Sequence, residues 1–295
     1  MAYDFYPSFE RHNIKTDIGT FPVRVGGTGP AVLCLHGYPQ THAIYYKIAP
    51  LIQDKVTLIL PDLRGYGDAP KPKSDAQHMP YAKREMAKDM MQIMDQLGYD
   101  DFRVVGHDRG GRVAHRLAKD NQDRVTHLSV LDIAPTLAMY QSTDMAFATA
   151  YYHWFFLIQP APLPEEMIGA DVSFYLSKKM GMWSRAQNWL SDAAFAHYVN
   201  AFKNKDTIHA SCEDYRAAAT IDLAHDKADF NTKLNMPVQA LWGAEGFVGK
   251  TYDVIAEWQK VANEVTGHAV SGGHFLPEEA PEETANALLS FWGLK

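Results

Sequence analysis

One stretch limits what this chain can become: Val104-Val105-Gly106-His107-Asp108-Arg109-Gly110-Gly111-Arg112-Val113-Ala114. Phe102 to Val105 is a short apolar, β-branched run and reads as a buried strand. Val113, Ala114, Leu117 and Ala118 recur at helical spacing. A sharp Gly-x-Asp-x-Gly turn therefore joins strand to helix, and Gly106 and Gly110 are expected to let it close. Such a turn lifts Asp108 above the sheet edge, at the positive end of the following helix. A carboxylate displayed there is a nucleophile for carbon centres as well as an acid or base. An aspartate in front of a helix is also a common N-cap.

The chain around this turn alternates strands with helices. Residues 9 to 26 alternate in β fashion about Ile18-Gly19-Thr20, which predicts two antiparallel edge strands. Buried strands follow at Ala31 to Leu35, Val56 to Leu60, Leu128 to Ile133, Val238 to Trp242 and Thr266 to Val270. Helical patterns cover Ile44 to Ile52, Tyr81 to Leu97 and Glu278 to Trp292. Met86, Met90, Ile93 and Met94 share one helix face and read as core filler. This alternation predicts an α/β chain whose mostly parallel central sheet is flanked by helices. From Thr136 to His225 no buried strand is legible, aromatics are dense and the periodicity is helical. That division gives a core from 1–135 and 226–295, with an inserted helical cap at 136–225.

Composition narrows the partners. With 295 residues, 46% of them hydrophobic, the chain has ample material for a large core. A formal charge of -7 argues against nucleic acid. An anionic substrate would then need a local positive site. Cys34 and Cys212 lack metal spacing and fit a reducing compartment. The polar start and the absence of a long apolar run predict a cytoplasmic protein with no membrane partner. No zinc-type ligand cluster and no phosphate-cradling loop is present, so no metal or organic cofactor is expected.

Two further loops complete a reaction site. Ser271-Gly272-Gly273-His274 places a histidine late in the chain, in the order nucleophile, acid, base. Asp132 and Glu245 are both candidates for the acid that orients it. Asp132 is preferred, because Val-Leu-Asp-Ile-Ala-Pro sets it in an apolar frame at a strand end. His36-Gly37-Tyr38-Pro39 supplies a tight turn whose N–H, with that of Arg109, can form an oxyanion hole. Arg109 and Arg112 are three apart on the first helical turn, where the dipole disfavours cations. Such placement calls for a compensating anion: a substrate carboxylate, or an internal acid such as Asp132 or Asp62.

The elements His-Gly-Tyr-Pro-Gln, Gly-His-Asp-Arg-Gly-Gly-Arg, Tyr-His-Trp, Cys-Glu-Asp-Tyr-Arg-Ala and Gly-Gly-His-Phe resemble the haloacetate dehalogenases. These form, with the fluoroacetate dehalogenases, a group of the α/β-hydrolase superfamily. The resemblance spans nearly the whole chain and implies the α/β-hydrolase fold with a cap. It implies Asp108 as nucleophile, His274 as base and Asp132 as its partner. Arg109 and Arg112 would hold the substrate carboxylate, and His153, Trp154 and Tyr215 the leaving halide. Trp183 matches an aromatic that lines the pocket. Tyr38 stands where Phe is common, beside the substrate. Glu245 replaces a small residue near the pocket mouth, where its charge is expected to weaken anion binding. A homodimer is implied by the same resemblance. The expected reaction is hydrolysis of a small haloacid, fluoroacetate to glycolate, through an ester on Asp108. An epoxide hydrolase would use the same triad with two phenols, for which Tyr152 and Tyr215 are available. A non-catalytic carboxylate binder would have lost the nucleophile or the base.

Overall fold

The computed structural model describes residues 3–294. Its eight strands form one sheet in the order β1-β2-β4-β3-β5-β6-β7-β8. β1 (Glu10–Thr16) pairs antiparallel with β2 (Gly19–Gly27), and β2 pairs antiparallel with β4 (Thr57–Pro61). The other pairings are parallel: β3 (Ala31–Leu35), β5 (Phe102–His107), β6 (Val125–Leu131), β7 (Val238–Gly243) and β8 (Val265–Val270). β3 and β5 lie at the centre and are buried along almost their whole length.

Two expectations need correction. Of the first two strands β1 alone is an edge strand; β2 lies between β1 and β4. The hairpin pattern of β2 is that of any half-buried strand, so the alternation could not reveal its second partner. The C-terminal helix is also two helices, Leu276–Glu279 and Pro281–Phe291. Pro281 lacks an N–H and suits the first turn of a new helix rather than the middle of an old one.

Between β6 and β7 the described residues form eight helices, from Thr136 to Ala228. They lie over the ends of the central strands: Asp214 reaches Arg109 and Trp183 packs against His274. The helix Lys83–Leu97 buries Met86, Met90, Ile93 and Met94, the apolar stripe of its sequence. Among the described residues no helix is long and apolar enough to cross a membrane.

Candidate active site

Asp108 occupies the turn between β5 and the helix Arg109–Asp120, with φ 47° and ψ −113°. The strain falls on the aspartate itself, at about 1–3 kcal/mol for such a conformation. The glycines serve a different need from the one expected. A Cβ on Gly106 would stand 2.4 Å from the carbonyl oxygen of Gly110, and one on Gly110 would stand 2.3 Å from that of His36. They let helix, β5 and β3 approach closely enough to hold the turn.

The side chain of Asp108 caps nothing on its own helix. Its Oδ1 instead accepts the backbone N–H of Tyr38 at 2.8 Å. Oδ2 stands 3.9 Å from Nε2 of His274, too far for a hydrogen bond. That gap leaves room for a reacting atom. His274 Nδ1 lies 2.6 Å from Asp132 Oδ2, and the other oxygen of Asp132 accepts the N–H of Gly243 at 3.0 Å. Asp132, also at positive φ, is thus the acid beside the histidine, while Glu245 is exposed on the loop after β7. His107 donates Nε2–H to the carbonyl of His274. Burial, then the neighbouring His274, push His107 down to about 3, so it stays neutral.

Electrostatics divide the pair. Burial opposes the charge of Asp108, but His274, Arg109 and Arg112 outweigh it and lower its pKa. Burial likewise opposes an imidazolium on His274, but the hydrogen bond and charge of Asp132, with the charge of Asp108, raise it. The carboxylate is therefore kept ionised beside a histidine of increased basicity.

The two arginines differ in a way their spacing does not reveal. Arg109 is fully buried and bonds Asp214 through Nε (2.9 Å) and Nη2 (2.7 Å). The internal acid is therefore Asp214, not Asp132 or Asp62. Lys83 and the Tyr66 hydroxyl complete the surroundings of Asp214. Arg112 has no carboxylate partner among the described residues; Nη1 donates to Thr136 Oγ1 at 2.8 Å and Nη2 reaches Met139 Sδ. Burial and then the charge of Arg109 lower its pKa. One donor remains unpaired on each, Nη1 of Arg109 and Nε of Arg112. Each guanidinium thus offers one separate donor.

His153, Trp154 and Tyr215 join the same buried group. Arg109 lies 4.2 Å over the Tyr215 ring and Arg112 4.8 Å over that of Trp154. The His153 and Tyr215 centroids are 5.4 Å apart. His153 Nε2, Trp154 Nε1 and the Tyr215 hydroxyl are all buried without partners. Trp183 packs against both His153 and His274. Tyr38 contributes its N–H and its ring, but its hydroxyl bonds that of Tyr175 at 2.8 Å. Asp214 and Lys179 escaped the sequence reading. Asp214 immediately precedes Tyr215 in a conspicuous motif, and the need for an anion beside Arg109 pointed to some such acid.

A mostly parallel sheet, a strained aspartate after its central strand and a histidine–aspartate pair on the loops after β8 and β6 define a class of enzyme folds. The sequence profile described as alpha/beta hydrolase fold matches residues 30–281, and the chain belongs to that family. It is 38% identical to the fluoroacetate dehalogenase of Burkholderia sp over 97% of this chain and 94% of that protein. It is 34% identical to the soluble epoxide hydrolase of Corynebacterium sp. (strain C12), over 90% and 91%. A crystal structure from Nostoc sp PCC 7120, described as an alpha/beta hydrolase, superposes with a TM-score of 0.96 at 50% identity, over 98% of this chain and 99% of that one.

Proposed function

We propose that this chain is a haloacid dehalogenase acting on fluoroacetate and its chloro and bromo analogues. The observation that carries the reading is the set of five buried, unpaired donors beside one ionised aspartate: Arg109 Nη1, Arg112 Nε, His153 Nε2, Trp154 Nε1 and Tyr215 OH. Buried donors without acceptors are costly, and an anionic substrate satisfies them. Two cations suit the carboxylate end. Three neutral donors suit a halide, whose strong hydration they replace as charge develops.

In the proposed reaction an oxygen of Asp108 bonds the α-carbon while the carbon–halogen bond breaks and halide leaves with its electron pair. The product is an ester on Asp108. His274 Nε2 then takes a proton from water as that water attacks the Asp108 carboxyl carbon. The ester oxygen leaves with the hydroxyacid and takes up the proton from His274, and Asp108 is regenerated as the carboxylate when the water's second proton is lost to solvent. The Tyr38 N–H, already 2.8 Å from Oδ1, would stabilise the oxyanion of this step. The helices between Thr136 and Ala228 would act as the cap that excludes water.

The test is halide release from fluoro-, chloro- and bromoacetate, with diol formation from styrene oxide as control. Halide without diol supports the reading. Diol without halide favours the epoxide hydrolase reading, which draws support from the Corynebacterium relative and the free Tyr215 hydroxyl. Its other candidate phenol, Tyr152, is 36% exposed.

Arg112→Lys is expected to lower kcat/KM on fluoroacetate by about 30-fold, the equivalent of about 2 kcal/mol for a desolvated charged contact. Arg112 is the cleaner probe, because Arg109→Lys also disturbs Asp214. Near wild-type kcat/KM in Arg112→Lys would remove that side chain from substrate binding. Tyr215→Phe should slow defluorination more than debromination, since fluoride depends most on hydrogen bonds as it departs. Equal losses for both halogens would leave its hydroxyl a structural role only.

A further inference from the structure

Lys179 is a fully buried lysine without a carboxylate partner among the described residues. It lies on the helix Val172–Trp183, in the middle of that helix's inward stripe of Val172, Leu176, Met180 and Trp183. Its Nζ is 2.8 Å from Nδ1 of His153 and lies 3.7 Å over the Trp183 ring and 4.5 Å over that of Tyr152. Neighbouring Lys178 is exposed, so the burial of Lys179 is specific to its face of the helix.

An ammonium has only donors. While Lys179 is an ammonium, Nδ1 of His153 must offer its lone pair, and the single imidazole proton lies on Nε2; the neutral amine imposes no such choice. That atom is the one left without a protein partner, together with Trp154 Nε1 and the Tyr215 hydroxyl. Without Lys179 the two tautomers would be close in energy, and the Nδ1–H form would turn a lone pair toward an arriving anion. We propose that Lys179 is a positioning residue for the leaving group: it holds His153 as the Nε2–H tautomer and adds positive charge behind that donor. This rests on the dehalogenase reading for its catalytic meaning, but the tautomer does not.

The pair also couples anion binding to protons. Burial pushes Lys179 down to about 6, partly offset by Asp108, and burial and then Lys179 lower His153 further. The charged or titratable groups around the pair are Asp108 from the β5 turn, Arg109 and Arg112 from the following helix, and His274 from the loop after β8. The phenols of Tyr38, Tyr151, Tyr152 and Tyr215 and the indole of Trp183 complete the surroundings. A bound anion favours the ammonium. Halide binding should therefore take up a proton, and affinity should fall as pH rises above about 6.

The test uses bromide as probe on the full chain carrying ¹⁵N-histidine, with the His153 resonance assigned by loss in His153→Gln. Wild type with bromide should show a protonated Nε2 and a bare Nδ1. Lys179→Met should show a mixture or the reverse, and its bromide affinity, read by tryptophan fluorescence, should lose its pH dependence. Lys179→Arg, charged at all these pH values, should keep the tautomer and bind bromide without that pH dependence. On substrates, Lys179→Met should lose at least tenfold more rate with fluoroacetate than with bromoacetate. A bare Nε2 in bromide-bound wild type, which needs no variant to fold, overturns the proposal. An unchanged tautomer in Lys179→Met does the same. Failure of every haloacetate to release halide, with the tautomer as stated, refutes the dehalogenase reading and leaves the positioning role intact.

Discussion

His274→Asn should release about one halide per active site and then stop. Alkylation of Asp108 requires only its ionised carboxylate, whereas hydrolysis of the resulting ester requires a base. The geometry explains why the variant should separate these steps so cleanly. Nε2 of His274 is 3.9 Å from Asp108 and makes no hydrogen bond to it, so its loss does not remove a direct contact to the proposed nucleophile. Asp108 Oδ1 retains the N–H of Tyr38. Mass spectrometry of the stalled protein should find a carboxymethyl ester on the peptide containing Asp108. Steady turnover, or halide release without an adduct, would take His274 out of the hydrolytic step.

The same separation should appear in wild type as a function of pH. The charge of Asp108 helps raise the pKa of His274 in the free enzyme. Forming the ester consumes that charge, so the base is released as it becomes needed. Ester hydrolysis requires neutral imidazole, and kcat should fall as pH drops through the His274 pKa of the intermediate. Halide departure is the first irreversible step and requires only ionised Asp108, whose own pKa is lowered. kcat/KM should therefore persist to a lower pH than kcat. Coincident acid limbs would show that one ionisation controls both half-reactions.

Much of this arrangement was legible in the sequence because it depends on local chemistry. β3, β5 and β7 announce themselves as short apolar runs, and the Gly-x-Asp-x-Gly turn follows from what one strand–helix junction can accommodate. The ion pair Arg109–Asp214 was not legible, since 105 residues separate its members and only packing joins them. The sequence argument reached the demand for an anion but could not choose which acid meets it. Lys179 was hidden for a different reason. In Lys178-Lys179 one lysine faces solvent and one the interior, while Phe174 on the same helix is 61% exposed. Hydrophobicity misassigns both Phe174 and Lys179; the i, i+4, i+7, i+11 spacing of Val172, Leu176, Lys179 and Trp183 places the lysine on the buried stripe. Buried cations break the usual pattern where an anion is to be received, so such departures point to function rather than to a poor fold.

The first glycolate formed in ¹⁸O water should carry no label in its hydroxyl group. With Asp108 as nucleophile that oxygen comes from the carboxylate side chain, and water enters only at the Asp108 carbonyl carbon. In a single turnover with enzyme in excess, the label should appear in the peptide containing Asp108, and only later turnovers should give labelled product. The competing route has His274 activate water for direct displacement at the α-carbon, with Asp108 merely orienting the site. It predicts labelled glycolate at once and an unlabelled Asp108. Several structural features favour the covalent route. Asp108 is 1% exposed, its pKa is lowered, and its Oδ2 accepts no hydrogen bond among the described contacts, so a charged oxygen is available to carbon. The backbone at φ 47° is strained, at a cost of about 1–3 kcal/mol. Label in the hydroxyl group of first-turnover glycolate would nevertheless overturn the covalent mechanism, even if haloacids prove to be the substrates.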